Sequence, residues 1–432
     1  MMDFFQIATV LITLSALFSY VNFQYIRMPA KIGVMTIGLV LSLILLISGW
    51  LGLANGKEQA AQILSGIDFN RILLHGMLAF LLFAGAQHLD FNDLRQERLP
   101  VILLATVSVI VSTLVVGVTI WLILHIAGAH VALASAFLFG ALISPTDPIA
   151  VIGIMKNARA PKSLETQISG ESLFNDGIGV VVFLIILQVA IGQTSVSVTE
   201  MTLLFVEEAF GGLVLGSSAG YLGYLLLKRI DHYQVEILVT LALAMGVYAL
   251  AEALPIALSG PIAVVAAGLL IGNQGRALAM SAETREHVDT FWELIDEVLN
   301  AVLFVLIGLE ILVIPFNWRF VIAGLAAIPV VLLARLISVA GVVGLLSVLR
   351  PIASGTIPIL TWGGLRGGIS VALALSLPAL GDRGAIVAMT YAVVVFSIIV
   401  QGLTVGKLTE HFVDVAARGD SEPPGLPSGS DR

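Results

Sequence analysis

Thirteen stretches of the chain are apolar over enough residues to cross about 30 Å of hydrocarbon as a helix. They fall approximately at 4–21, 31–49, 71–89, 100–126, 131–154, 164–191, 203–227, 234–253, 256–273, 289–313, 318–347, 355–378 and 384–407. None alternates apolar and polar residues with the period of two that a lipid-facing barrel strand requires, so each is expected to be a helix. The pattern predicts an all-α polytopic membrane protein of thirteen transmembrane helices. One membrane unit is expected over residues 1–415. From about Ala416 the sequence, ending SEPPGLPSGSDR, has no apolar periodicity, and 416–432 is expected to be a short disordered tail.

Composition agrees with this pattern: 58% of residues are hydrophobic and only 12% charged, with a mean hydropathy of +1.02, far from a water-soluble domain. The first apolar run has no basic leader and no clear small-residue cleavage site, so it is read as a span. The absence of cysteine excludes disulfides, thiolate nucleophiles and cysteine-bound metals. No basic run suggests a nucleic-acid partner; the partner that composition implies is the lipid bilayer. Fifteen of the 21 Lys and Arg residues fall in loops on one side of the thirteen spans. Lys57, Arg71, Arg319 and Arg383 fall on the other, and Arg335 and Arg366 lie within spans. The basic side is expected to be cytoplasmic, which puts the N-terminus outside and the C-terminus inside.

Polar groups within the spans are where chemistry is expected, because an ionised side chain at the bilayer centre costs about 2.5 kcal/mol or more. Span 6 opens with GESLFNDGIG, in which helical spacing puts Glu171, Ser172, Asn175 and Asp176 on one polar stripe. Span 5 contains SPTDP. Its prolines, Pro145 and Pro148, flank Thr146 and Asp147 and should open the helix in mid-membrane, leaving half-helix ends and bare carbonyls beside an acid. Span 12 contains WGGLRGG, four glycines around Arg366, and reads as a second interrupted helix at the matching place of an inverted repeat. Two broken helices are then expected to cross at the midplane, with Arg366 balancing acids there. Arg335 in span 11 needs a carboxylate, and Glu171 is the preferred one. Glu293, Asp296, Glu297 and Asn300 recur at helical spacing at the start of span 10, either as favourable acids in a helix's first turns or as an acidic funnel for cations. His75, His88 and His125 are scattered singly, and structural roles outweigh metal binding for each.

With SPTDPIAV, GESLFNDG, the span 11 arginine and WGGLRGG in this order, the chain resembles bacterial monovalent cation/proton antiporters of the NhaP type, which are related to animal sodium/proton exchangers. The resemblance covers nearly the whole chain. It implies a multi-pass protein of the bacterial inner membrane and a homodimer. A mobile core, approximately 100–191 and 318–407, would work against a scaffold and dimer unit, approximately 4–89 and 203–313. It also implies that Asp147, Asp176, Ser172 and the backbone of Thr146 ligate the cation. Asn175 would hold the crossed helices and Glu171 would pair with Arg335. The Asn-Asp pair marks electroneutral one-for-one exchange in this family, and no cofactor is expected. One departure stands out, since Ala84 occupies a position where some relatives carry an acid.

The resulting reading is a transporter and not an enzyme: a secondary antiporter in which Na⁺ or Li⁺, with K⁺ a third candidate, competes with a proton at Asp147 and Asp176. A passive cation channel would need a continuous pore in place of a mobile core. An intramembrane aspartyl protease would use two aspartates and the tripeptide Pro378-Ala379-Leu380, but neither Asp147 nor Asp176 lies in a GxGD sequence.

Overall fold

The structure is a computed structural model that describes residues 4–51, 71–128, 131–158, 160–192, 197–313, 317–350, 352, 355–378 and 380–419. Its long elements are α1 (Phe4–Val21), α2 (Ala30–Trp50), α3 (Leu78–Gln87), α4 (Val109–Ile126), α5 (Leu133–Ile143), α6 (Ile149–Asn157), α7 (Lys162–Ala190), α8 (Val198–Leu227), α9 (Tyr233–Ala253) and α10 (Gly260–Leu270). They continue with α11 (Ala282–Glu310), α12 (Trp318–Ser347), α13 (Thr356–Trp362), α14 (Gly368–Ser376), α15 (Arg383–Phe396) and α16 (Gly402–Gly419). Among the described residues there is no strand, only a single antiparallel bridge between Asp147 and Leu365.

By length and composition, nine helices among the described residues could cross a membrane. The other four expected stretches differ from them, each for its own reason. The stretch at 71–89 is helical from Ile72 to Gln87 but short. Those at 131–154 and 355–378 are each broken into two short helices, α5 with α6 and α13 with α14. The one at 289–313 belongs to α11, which begins earlier, at Ala282, and carries a run of acids in its N-terminal part. Of the expected tail, Ala416–Gly419 continue α16, and 420–432 lie outside the described residues.

The outer surface of the bundle is itself apolar. Phe5 and Ile12 on α1, Leu203, Phe210 and Leu222 on α8, and Leu325 and Leu333 on α12 are all exposed, which suits hydrocarbon and not water. Inside, α4 packs on α5 and α12, α12 on α15, and α7 on α5, while α2 packs on α11, α3 on α10 and α8 on α10. Small residues set the closest crossings. A Cβ added at Gly216 would stand 2.0 Å from the Ala263 carbonyl oxygen, and one at Gly212 would stand 2.6 Å from that of Ser259. These glycines let the α8 and α10 backbones touch, the packing that lipid surroundings favour.

Short π-helical segments interrupt the helices beside the two breaks. Leu104–Ser108 precedes α4 and Ser397–Gln401 joins α15 to α16, and such segments turn side chains that a regular helix would aim elsewhere.

Gly216→Val is therefore expected to lower thermal stability in detergent by roughly 1–3 kcal/mol, the usual cost of overpacking. Gly246→Ala, where a Cβ meets nothing within 4 Å, should leave it unchanged or raised; equal melting of the two variants would contradict this packing.

Candidate functional site

Each proline of SPTDP removes a backbone donor, and α5 stops at Ile143 while α6 starts only at Ile149. In the second break, α13 stops at Trp362 and α14 starts at Gly368. The two extended pieces cross, and the Asp147 amide donates to the Leu365 carbonyl at 2.8 Å. The crossing is too tight for ordinary side chains. A Cβ at Gly367 would stand 2.0 Å from Asp147 Oδ2, and one at Gly179, on α7, 2.1 Å from Pro145 Cγ. The glycines of WGGLRGG and NDGIG are thus needed for close approach.

Breaking a helix exposes its last carbonyls, which inside a membrane need donors. Arg366 supplies them for α5, since its Nη1 donates to Ser144 O at 2.8 Å and Pro145 O at 2.9 Å. Arg335 supplies α13, with Nη2 donating to Leu360 O at 3.0 Å. Gln401 Nε2 donates to Trp362 O at 2.9 Å. The Arg366 amide is taken up by Ser397 Oγ at 2.9 Å. Beside its expected place among the acids of the crossing, Arg366 holds the negative end of a half-helix, where a cation is favoured.

The polar stripe of α7 divides among three neighbours. Glu171 meets Arg335 in a two-pronged ion pair, Nη2 to Oε2 at 2.9 Å and Nη1 to Oε1, with both side chains buried. Ser108 Oγ accepts a further long bond from Nη1, 3.5 Å. Asn175 clamps Thr146: its Nδ2 donates to Thr146 Oγ1 at 2.9 Å and its Oδ1 accepts from the Thr146 amide at 3.2 Å. Ser172 Oγ lies 2.9 Å from Thr146 Oγ1. Asp176 takes no part in these bonds. It lines a cavity of about 770 Å³ together with Asp147, Thr146 and Ser370, and the two carboxylates stand near enough to repel one another when both are ionised.

From the crossing the cavity reaches residues of the loops expected to be cytoplasmic, among them Lys31, Lys156, Lys162 and Arg276. Asp289, Glu293, Asp296 and Glu297 of α11 line it too. Because α11 begins at Ala282 behind its cap, Ser281, these acids lie about two to four turns into the helix. A first-turn role is thereby removed. Two of them are paired, Asp296 with Lys31 at 3.4 Å and Asp289 with Arg276 at 2.5 Å. Asn300 is turned back on its own helix, donating to Asp296 O at 2.8 Å. Ala84 is buried in an apolar cluster with Leu173 and Trp292 and does not line the cavity. His88 does line it, His125 stacks on Trp121 at 5.4 Å, and the His75 side chain lies outside the described ones. Sequence reasoning missed Ser108, Ser370, Ser397 and Gln401. Their signal was weak: single polar residues in apolar spans.

Residues 11–411 match the family model described as sodium/hydrogen exchanger, transmembrane. The chain belongs to the sodium/hydrogen exchanger family. It is 50% identical over 404 residues to the Na⁺/H⁺ antiporter NhaP of Pseudomonas aeruginosa, covering 93% of this chain and 95% of that protein. It is 34% identical over 393 residues to the Na⁺/H⁺ antiporter NhaH of Halobacillus dabanensis, covering 89% and 92%. The solved structure of the sodium proton antiporter MjNhaP1 from Methanocaldococcus jannaschii superposes with a TM-score of 0.75 at 19% identity, covering 94% of this chain and 99% of that one. The fold is therefore that of an exchanger-family antiporter, and the chain is an integral multi-pass membrane protein whose relatives are transporters and not enzymes.

Within this exchanger-family fold, removing one partner of the Glu171–Arg335 pair strands a buried charge. Glu171→Ala or Arg335→Ala is expected to cost roughly 3–5 kcal/mol or to abolish folding, and losing both should cost less than the sum. An Arg335→Ala protein that melts like wild type would remove this role.

Proposed function

We propose that this protein is a secondary antiporter that exchanges one monovalent cation, Na⁺ or Li⁺, for one proton across the bacterial inner membrane. The observation that carries this reading is the pair of carboxylates, Asp147 and Asp176, brought from a broken helix and an intact one to one cavity that reaches the basic side of the bundle. The candidate ligands are the Asp147 and Asp176 carboxylates, Ser172 Oγ and the backbone of Thr146. Hard oxygen donors of this kind suit an alkali cation, and no cofactor takes part. In this reading the chain has thirteen spans, an outside N-terminus and a cytoplasmic C-terminus, and works as a homodimer.

The mechanism needs only one group that holds either ion. Asp176 takes a cation from the cavity or a proton from water, and Asp147 assists. Either ion cancels the charge that Asp176 carries when empty, and the core, approximately 100–191 and 318–407, can then move against the scaffold. The empty site carries uncompensated charge. Exposing one such charge to an apolar seal costs about 2.5–3.5 kcal/mol even on lenient scales, which slows the empty core on the order of 10²-fold. That barrier couples the two ions. Asn175 is spent on Thr146 and uncharged; with Asp147 keeping the same charge throughout and Asp176 alone exchanging its ion, one positive charge leaves for each that enters and the cycle is electroneutral. Glu171, Arg335 and Arg366 hold the crossing in shape throughout.

Three measurements test this reading. In proteoliposomes, Asp176→Asn keeps the side chain's shape but cannot ionise, so it should fold and show no coupled exchange; comparable Na⁺-driven proton flux in this variant would remove the mechanism. For wild type, linkage requires that protons weaken cation binding as much as cations expel protons. The Na⁺ concentration for half-maximal rate should accordingly rise as pH falls, with saturating Na⁺ recovering much of the maximal rate. A maximal rate that collapses with pH at constant half-saturation would argue for control elsewhere. For topology, the chain has no cysteine of its own, so a single cysteine at Thr199 should react with an impermeant maleimide from outside and one at Ala277 should not.

A further inference from the structure

Hydroxyls inside an apolar helix ordinarily bond back to their own backbone. In this protein Ser15, Thr36, Ser42 and Thr390 each donate to the carbonyl four residues back, at 2.7–2.9 Å. Ser370 is placed where that bond is not on offer. It is the third residue of α14, so four residues back lies Arg366, in the break and not in a helix. Its hydroxyl makes no hydrogen bond to any described residue, although the residue is only 2% exposed. The space it meets is the cavity, whose wall it shares with Thr146, Asp147 and Asp176.

The second break also brings Ser370 to the carboxylates. Gly367 is the cap residue of α14 and has no side chain to offer the helix, and Asp147 Oδ2 stands 2.0 Å from where its Cβ would be. The Asp147 carboxylate therefore occupies the place of an N-cap side chain. In a capping box the side chain at the third helical position reaches back to the cap residue, so this geometry puts Ser370 within side-chain reach of Asp147. Ser172 is differently placed: its hydroxyl lies 2.9 Å from Thr146 Oγ1, a group that Asn175 already holds.

We propose that Ser370 Oγ is a further ligand of the transported cation, a neutral oxygen that the second broken helix supplies to an ion held by Asp147 and Asp176. The proposal rests on the exchange reading above and deepens it. A dehydrated alkali cation needs oxygens in place of its water shell, and a hydroxyl with no protein partner supplies one without breaking a bond. The first break, α7 and α14 then each contribute to the same ion.

Serine does not titrate, so its loss should weaken the cation and leave the proton where it was. Na⁺, Li⁺ and K⁺ are titrated calorimetrically into the purified full-length protein at alkaline pH, where protons no longer compete. Ser370→Ala and Ser370→Cys should bind the ion that wild type prefers about tenfold or more weakly, the worth of one oxygen facing a full charge. Cysteine keeps the size of serine but offers a soft sulfur that suits a hard cation poorly, so its loss of affinity is not a packing effect. In both variants the pH below which apparent cation affinity starts to fall should equal that of wild type, and both should melt like wild type in buffer free of alkali cations. If either variant binds with wild-type affinity, or if affinity and that pH move together, Ser370 is not a ligand. If both variants lose affinity as expected but wild type expels no proton on binding, the ligand stands and the proton-exchange reading fails.

Discussion

Backbone that leaves its helix inside a membrane must find donors for its carbonyls, and the whole centre of this protein is arranged around that demand. The α5 half-helix ends on Arg366, and the α13 half-helix ends on Arg335 and Gln401. An unsatisfied group there would cost several kcal/mol. Two of these three donors carry charge. Arg335 is answered by Glu171 and in turn by Ser108, which is why a carboxylate from α7 and a π-helical segment before α4 are drawn to the same point. Arg366 is answered by the half-helix dipole itself. Glu171 is thus committed to the frame, while Asp147 and Asp176 are left on the cavity wall.

The proposed exchange rests on that division. A carboxylate locked to a guanidinium is committed to its partner, whereas carboxylates on a cavity wall are left to meet an ion from solution. Asn175 sharpens the division. It spends both its donor and its acceptor on Thr146, fixing the loop that carries Asp147 relative to α7 without adding charge. The α11 acids extend the negative wall towards the loops, but Lys31 and Arg276 neutralise part of it, so the field at the mouth is weaker than a count of acids suggests.

Much of this was legible in the sequence, because it rests on residues with few alternatives. A proline pair around an acid, glycines around an arginine, and an arginine in an apolar span each have a narrow set of physical uses. Less legible were directions. Periodicity put Glu171, Ser172, Asn175 and Asp176 on one stripe, yet a stripe about 100° wide on a buried helix meets several neighbours, and here they answer to α12, the first break and the cavity respectively. The carbonyl partners of Arg366 were not legible, since a pattern of residue types does not record half-helix dipoles. The start of α11 at Ala282 was hidden because its first turns are polar, and apolar runs mark where a helix enters hydrocarbon and not where it begins. Ser397 and Gln401 reach the second break from a π-helical segment that no local pattern announces.

The central claim is that a cation and a proton compete for one carboxylate, and calorimetry of binding reads it without transport. Na⁺ titrated into purified wild-type protein in buffers of different ionisation enthalpy is expected to release protons, in a number that rises towards one per Na⁺ as pH is lowered, and Asp176→Asn is expected to release none. Na⁺ binding to wild type with the same heat in every buffer, at every pH, would contradict the account.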